Sequence, residues 1–429
     1  MPGEQRLPGA HDEAQCRGGR PRPQGQGDPG RRAAPAAAAA RALRLRLHRR
    51  RQRGLPGLRA LARAQARRRH RGRRRQHRHV PQGRGALSGA RTRLGRLREP
   101  RVRVRRRCDG GQPIPLAAYL NPGADLGAAI ELARTADRLG YDSVWVTHGL
   151  GRDSFVLLAA YAAATTRVGL GNGVVPIYPR HPVAMAQAAS TLNEVSGGRF
   201  RLGIGVSHKN AMEAMLGLRL VEPLAIMREY VAVLRGALGA GSEFEGRHYR
   251  VRWSLALPKR PPAPPIYLAA LSVKMLELAG EIADGVILWL CPPAYVRDVA
   301  LPALERGRRR AGKPLTGFEI VAAVPLAVTD DRPAAMAAFR AELTRYVEQP
   351  FYRAMLQAAG LGDGVAAFDR DRRVPDALAE ALGGIGDPRA ARTYVEAYRK
   401  AGVTLPAVRP ITFPDAPWYR RTVEEAAGW

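Results

Sequence analysis

Arg167–Val206 reads RVGLGNGVVPIYPRHPVAMAQAASTLNEVSGGRFRLGIGV. Its ends are short apolar runs, Val168 to Val175 and Phe200 to Val206, and Val183 to Val195 between them carries apolar residues at helical spacing. Ser196-Gly197-Gly198 then supplies a helix stop. A helix between two apolar strands predicts parallel pairing through a right-handed crossover. Gly171 and Gly173 interrupt the first strand, and glycine inside a strand marks a bulge or a close approach of another group. A flat ring lying against that backbone, or a plain barrel corner, would each account for them.

The same rhythm extends in both directions. Upstream, Ile114 to Leu120 ends at Asn121-Pro122-Gly123, helical spacing runs from Leu126 to Leu139, and Ser143 to Thr147 precedes a helix over Ser154 to Thr165. Downstream come a helix over Pro223 to Leu238, strand Ile266 to Ala270, helix Val273 to Ala283, strand Val286 to Leu290 and helix Ala294 to Ala311. Phe318 to Val328 and Thr404 to Thr412 bring the strands to eight, which predicts an α/β chain folded as a (β/α)8 TIM barrel over residues 112–429. Two insertions break the pattern, one near the fifth strand and one after the seventh. Gly239 to Pro265, rich in proline at its end, reads as a loop, and Asp330 to Gly386 is long enough to add helices over the barrel mouth. Both are candidates for a lid. A doubly wound sheet is disfavoured because no Gly-x-Gly-x-x-Gly opens a helix after the first strand.

Residues 1–111 are of another kind. The first 110 hold 33 of the 70 Lys+Arg and six acids, a net +27 of the chain's +33, and contain no Phe, Tyr, Trp, Ile or Asn. Such a segment has too little apolar surface to offset about 1–2 kcal/mol of backbone entropy per residue, so it reads as a disordered Arg-rich arm. It reads as a polycation that binds nucleic acid or acidic membranes by counterion release, as a GC-biased stretch read through a wrong start or frame, or as a targeting segment. No aromatic residue in it could stack on bases. Neither a secretory h-region nor an apolar run of membrane-spanning length is present, which predicts a cytoplasmic protein. Cys16, Cys108 and Cys291 form neither a disulfide framework nor a paired metal-ligand spacing.

Active groups of a TIM barrel collect at the C-terminal ends of its strands. The second strand ends in Thr147-His148-Gly149, and His148 stands where a general acid or base would face the pocket, unless it serves structure or a cofactor. Arg180-His181 after the third strand reads as a cap or bridge. The fourth strand ends in Gly205-Val206-Ser207-His208-Lys209, which offers a hydroxyl, an imidazole and an ammonium. The fifth ends in Ala270-Leu271-Ser272 and starts a helix at Val273. Free N–H groups there suit a phosphate, and Ser272 suits an N-cap.

Leu170-Gly-Asn-Gly-Val-Val-Pro176, Arg180-His-Pro182, Thr191 to Phe200 and Leu202-Gly-Ile-Gly-Val206 together resemble the luciferase-like monooxygenase family. Pro265 to Ala270, Met275 to Gly280, Ala283-Asp-Gly285 and the inserted Phe244 to Tyr249 extend the likeness over Pro113 to Phe413, and Thr147-His148-Gly149 with Arg152-Asp153 is similar to the branch that uses coenzyme F420. The resemblance implies a redox enzyme acting on a small molecule, with F420 as cofactor and FMN as the alternative, and a homodimer. It further implies a cis peptide at Gly173-Val174 backing the ring, Gly205, Val206 and Ser207 along the ring or its ribityl chain, Ala270, Leu271, Ser272 and Val273 at the phosphate, and a structural Glu194. His148 or His208 would manage the substrate's proton. The chain departs from relatives that carry Gly-Pro at Ser272-Val273, Asp-His at His148-Gly149, or Glu at His208. A nonenzymatic barrel, or nucleic-acid binding through the arm, remains the reading from another class.

Overall fold

The computed structural model describes residues 115–149, 151–257 and 261–429; the arm, with Cys16 and Cys108, lies outside them. Eight parallel strands close into a barrel: β1 (Ala117–Leu120), β2 (Ser143–Val146), β3 (Gly169–Asn172), β5 (Phe200–Gly205), β8 (Ile266–Ala269), β9 (Gly285–Trp289), β10 (Glu319–Val328) and β12 (Leu405–Pro410). Closure runs through β12, which pairs Ala407 with Ala117 of β1 and Val321 with Leu405 of β10. Each strand hands over to a helix on the outside, and the helix starts follow cap chemistry. Asp125 and Asp153 accept the first-turn N–H groups of the helices Leu126–Leu139 and Ser154–Ala164.

The expected single strand over Val168 to Val175 is broken. β3 stops at Asn172, Gly173-Val174 is a cis peptide, and β4 (Val175–Pro176) resumes pairing against β5. The expected loop Gly239 to Pro265 is also corrected, since it contains an antiparallel hairpin of β6 (Ser242–Glu245) and β7 (Arg250–Trp253). Its period-two alternation buries Val251 and leaves Arg250 and Arg252 to solvent. Glu229 holds the turn, accepting N–H bonds from Arg247, His248 and Tyr249 at 2.8–3.0 Å.

Ala294 to Ala311 is not one helix either. A short turn at Pro293–Tyr295 enters a π-helical turn, Val296–Ala300, before the α-helix Leu301–Arg310. Pro302 lacks the N–H that would bond four residues back, which widens the ladder there. After β10, Asp330 to Gly386 supplies four helices, Arg332–Val347, Pro350–Ala358, Gly362–Asp371 and Asp376–Leu382, and the short β11 (Gly384–Gly386) on β10.

The barrel interior is packed. Ala117, Tyr119, Trp145, Tyr267, Ile287, Val321, Ala323, Leu405 and Ala407 form one buried cluster from alternating inward positions. Below it, at the N-terminal ends of the strands, Arg201 donates to Asp142 at 2.6 Å and lies 3.9 Å from Glu319, which accepts the Tyr267 hydroxyl at 2.8 Å. Burial opposes the Arg201 charge, but Glu319 and Asp142 more than offset it, so its pKa lies above the ordinary value. Among the described residues no helix is long and apolar enough to cross a membrane, and no group of His, Cys, Asp and Glu is placed to hold a metal.

Candidate active site

The C-terminal ends of β1, β2, β3, β5, β8, β9 and β12 form the mouth. Three non-glycine residues adopt left-handed backbone just beyond them: Ser207 (φ 65°), Leu290 (φ 54°) and Thr412 (φ 71°). Backbone held in this region concentrates at functional sites.

His148 is fixed by the helix that follows it. Its Nδ1 accepts the backbone N–H of Ser154, the first residue of Ser154–Ala164, at 3.2 Å and lies 3.1 Å from the Ser154 hydroxyl. The Ser154 oxygen in turn accepts a bond from buried Asn172 at 2.7 Å. A backbone N–H can only donate, so Nδ1 is the unprotonated nitrogen and the neutral ring carries its proton on Nε2. Burial lowers the His148 pKa; Asp153 opposes this and Arg180 adds to it. At neutral pH His148 is therefore a neutral donor through Nε2–H, with Nδ1 committed to the helix end, and a general base acting through Nδ1 is excluded. Asp153 is shared between the helix cap and Arg180, which donates to it at 2.8 Å. His181 caps its own helix by accepting from Val183 at 3.3 Å, so the pair serves as the cap and bridge expected.

His208 is exposed and lies 5.8 Å from the ring of Tyr352 on the helix Pro350–Ala358. Partial burial, then the positive charge of Arg345, holds its pKa below the ordinary value. Lys209 is solvated and reaches Glu213 at 3.8 Å. Ser272 caps Val273–Ile282 by accepting from Met275 at 3.3 Å, and the Leu271 carbonyl accepts the Tyr295 hydroxyl at 2.6 Å. The first-turn N–H groups of Val273 and Lys274 have no acceptor inside the helix.

The glycines of the third strand need a different account from the ligand ring first considered. A Cβ on Gly171 would sit 2.3 Å from the Trp145 ring, and one on Gly173 would sit 2.1 Å from the Tyr119 hydroxyl. The protein's own aromatic side chains occupy those approaches. At the rim a Cβ on Gly205 would likewise meet the side chains of Val174 at 2.9 Å and Ala269 at 3.2 Å, so Val174, Gly205 and Ala269 form one packed wall.

Several side chains of the mouth escaped the sequence reading. Tyr119 packs edge-on against Trp289 at 5.1 Å; Trp289 meets Tyr346 at 6.2 Å, and Tyr346 meets Tyr352 at 5.1 Å. Burial raises the Tyr119 and Tyr352 phenols well above their ordinary values, so both remain donors. Arg409, on the last strand, places its guanidinium carbon 5.2 Å from the Trp289 ring and 6.0 Å from that of Phe339, and donates to Glu342 at 2.7 Å. Glu342 also accepts from Thr412 at 3.1 Å, which ties the helix Arg332–Val347 across the mouth. A lone arginine inside LPAVRP was the available signal. Cys291 is buried, and burial pushes its thiol up to about 12, which excludes a thiolate nucleophile at neutral pH.

Comparison with known proteins fits this geometry. The family model for the luciferase-like monooxygenases matches residues 110–405. A Mycobacterium tuberculosis protein named as a coenzyme F420-dependent oxidoreductase is 32% identical over 314 residues, spanning 65% of this chain and 89% of the relative. Among solved structures, the coenzyme F420-dependent tetrahydromethanopterin reductase of Methanopyrus kandleri superposes with a TM-score of 0.63 at 25% identity, over 74% of this chain and 98% of that one. The FMN-bound oxygenating constituent of 3,6-diketocamphane monooxygenase from Pseudomonas putida shares the fold, with a TM-score of 0.56 at 17% identity over 74% and 97% of the two chains. With a closed barrel, a bulge at Gly173-Val174 and a family match covering most of its length, the chain belongs to the luciferase-like monooxygenase family of oxidoreductases.

Proposed function

We propose that this chain is an F420-dependent oxidoreductase that exchanges a hydride with a small organic substrate. One observation carries the reading. His148 is locked as a neutral Nε2–H donor at the barrel mouth by the Ser154 N–H, a form suited to polarising a substrate carbonyl or steadying an alkoxide. The F420-named relatives support the choice of cofactor.

The residues present fit such a group. The absence of a side chain on Gly205 lets Val174 and Ala269 close into one packed apolar wall, against which a ring would lie. Val206 and Ser207 follow it at the strand end and would flank a ribityl chain, and Ala270 to Val273 end at a helix N-terminus where a phosphate would be held. When bound, a deazaflavin supplies two-electron hydride exchange without oxygen chemistry. The protein's part is orientation, exclusion of water by the helices carrying Tyr346 and Tyr352, and handling of the substrate oxygen. His148 hydrogen-bonds that oxygen, and His208, free to titrate at the rim, exchanges the proton with solvent.

The second reading, an FMN-dependent monooxygenase, draws on the family's name and on the fold shared with an FMN-bound protein. Titration of the barrel with F420 and with FMN, followed by fluorescence quenching, separates the two. The proposal expects saturable F420 binding. Tight FMN binding with no F420 response would replace it with the monooxygenase, and binding of neither would leave a nonredox barrel. A small-molecule substrate and a homodimer are part of the proposal; sedimentation at working concentration tests the dimer.

A further inference from the structure

Arg409 is 6% exposed, and only one edge of its guanidinium is used. Nη1 donates to Glu342, whereas Nε and Nη2 have no partner, and neither does the buried Nε1 of neighbouring Trp289. Nε–H and the adjacent Nη2–H point the same way and form the fork that a carboxylate accepts with both oxygens. Leu405 and Ala407, four and two residues before Arg409, face the barrel interior, so strand alternation carries Arg409 inward above them. It reaches the mouth beside Trp289 and Tyr119.

The unsatisfied groups are N–H donors, so the occupant that completes them is rich in acceptors. The local charge agrees. Glu342 lies 2.7 Å from Arg409 and 4.0 Å from Arg345, so two cations face one carboxylate and the sum is +1. The rings of Trp289 and Phe339 flank the guanidinium, with Tyr119 and Tyr346 packed on Trp289, and aromatic neighbours suit a flat body.

We propose that the Arg409 fork seats the carboxylate of a small, flat organic acid, and that this acid is the substrate class of the mouth. The inference rests on the proposed redox function only in taking the occupant to be the reactant; the anion seat itself stands on Arg409, Trp289 and Glu342.

The test uses the full chain without cofactor, titrated with benzoate and with benzamide while tryptophan fluorescence and the thermal midpoint are followed. Benzoate should bind at least tenfold tighter than benzamide. Arg409→Lys keeps the charge but loses the fork, and should lose most of that preference. Glu342→Gln removes the competing carboxylate, and should tighten benzoate. If Arg409 only anchors the helix Arg332–Val347, the two variants weaken binding in parallel, which overturns the proposal. It is also overturned if wild type binds both probes equally or neither saturably. Should Arg409→Lys fail to fold by circular dichroism, wild-type selectivity and the sign of the Glu342→Gln change decide. A parallel F420 titration keeps the two ideas apart. Benzoate selectivity without F420 binding would sink the cofactor assignment alone, and F420 binding without benzoate selectivity would sink the anion seat alone.

Discussion

Gly171→Ala should destabilise the barrel through a clash that can be located to one ring. The added methyl would lie 2.3, 2.5 and 2.7 Å from three carbons of the Trp145 indole. Ordinary carbon contacts are about 3.5–4.0 Å, so the ring would have to retreat by about 1 Å. It has nowhere to go. Trp145 is fully buried, its indole N–H donates to Ser143 at 3.0 Å, and its ring packs T-shaped against Tyr267 with centroids 5.4 Å apart. Overpacking of this kind costs about 1–3 kcal/mol, which lowers the thermal midpoint of a domain this size by roughly 2–6 °C. Trp145→Phe opens a cavity and is destabilising alone, but it removes atoms that the alanine methyl would strike. The double variant should therefore be less destabilised than the sum of the singles, with a coupling of about 1–3 kcal/mol. Circular dichroism melts of the four proteins measure it. Additivity within about 0.5 kcal/mol, or a neutral Gly171→Ala, would refute the idea that the glycine exists to admit this ring.

Two further outcomes follow from charge. In Asp153→Asn the amide still caps its helix, but the negative charge that raises the His148 pKa is gone, so His148 should titrate still lower by NMR; an upward movement would contradict the arrangement described. Because the folded value already lies below the unfolded one, His148 contributes stability that is present above the unfolded value of about 6.5 and is lost as pH falls through it toward the folded value. Glu229 has the carboxylate sign. Desolvation opposes ionisation, but the N–H groups of Arg247, His248 and Tyr249 outweigh it and lower the pKa. The hairpin is thus favoured above the unfolded glutamate value and loosens as pH falls through the folded one. Protection factors of the Arg247 to Tyr249 amides should fall on acidification in wild type and be low with little pH dependence in Glu229→Gln.

The alternation of apolar runs and helical spacing carried most of the barrel, because its strands are buried on both sides and several of its helices are capped by an adjacent Asp, His or Ser. The hairpin of β6 and β7 was missed although Ser242–Glu245 and Arg250–Trp253 alternate. Charged residues on its exposed face, and the prolines that follow, disguised it as a loop. The glycines marked a bulge or close approach near Gly173, whereas the cis peptide at Gly173-Val174 was legible only through family resemblance. Within the site, the residues next to strand ends were readable, and His148, His208, Gly205 and Ser272 all lie at the mouth. Arg409, Trp289, Tyr346 and Tyr352 were not, since their meeting depends on helices that return over the mouth, with Tyr346 and Tyr352 standing 63 and 57 residues before Arg409 in the chain. Local pattern does not encode that return.

The packed interior and the Arg201, Asp142 and Glu319 network at the opposite end make the barrel a blind cup. A cup with one rim imposes traffic rules. Whatever sits deepest must arrive first and leave last, so the order of binding in a reaction at this mouth is set by depth as well as by affinity.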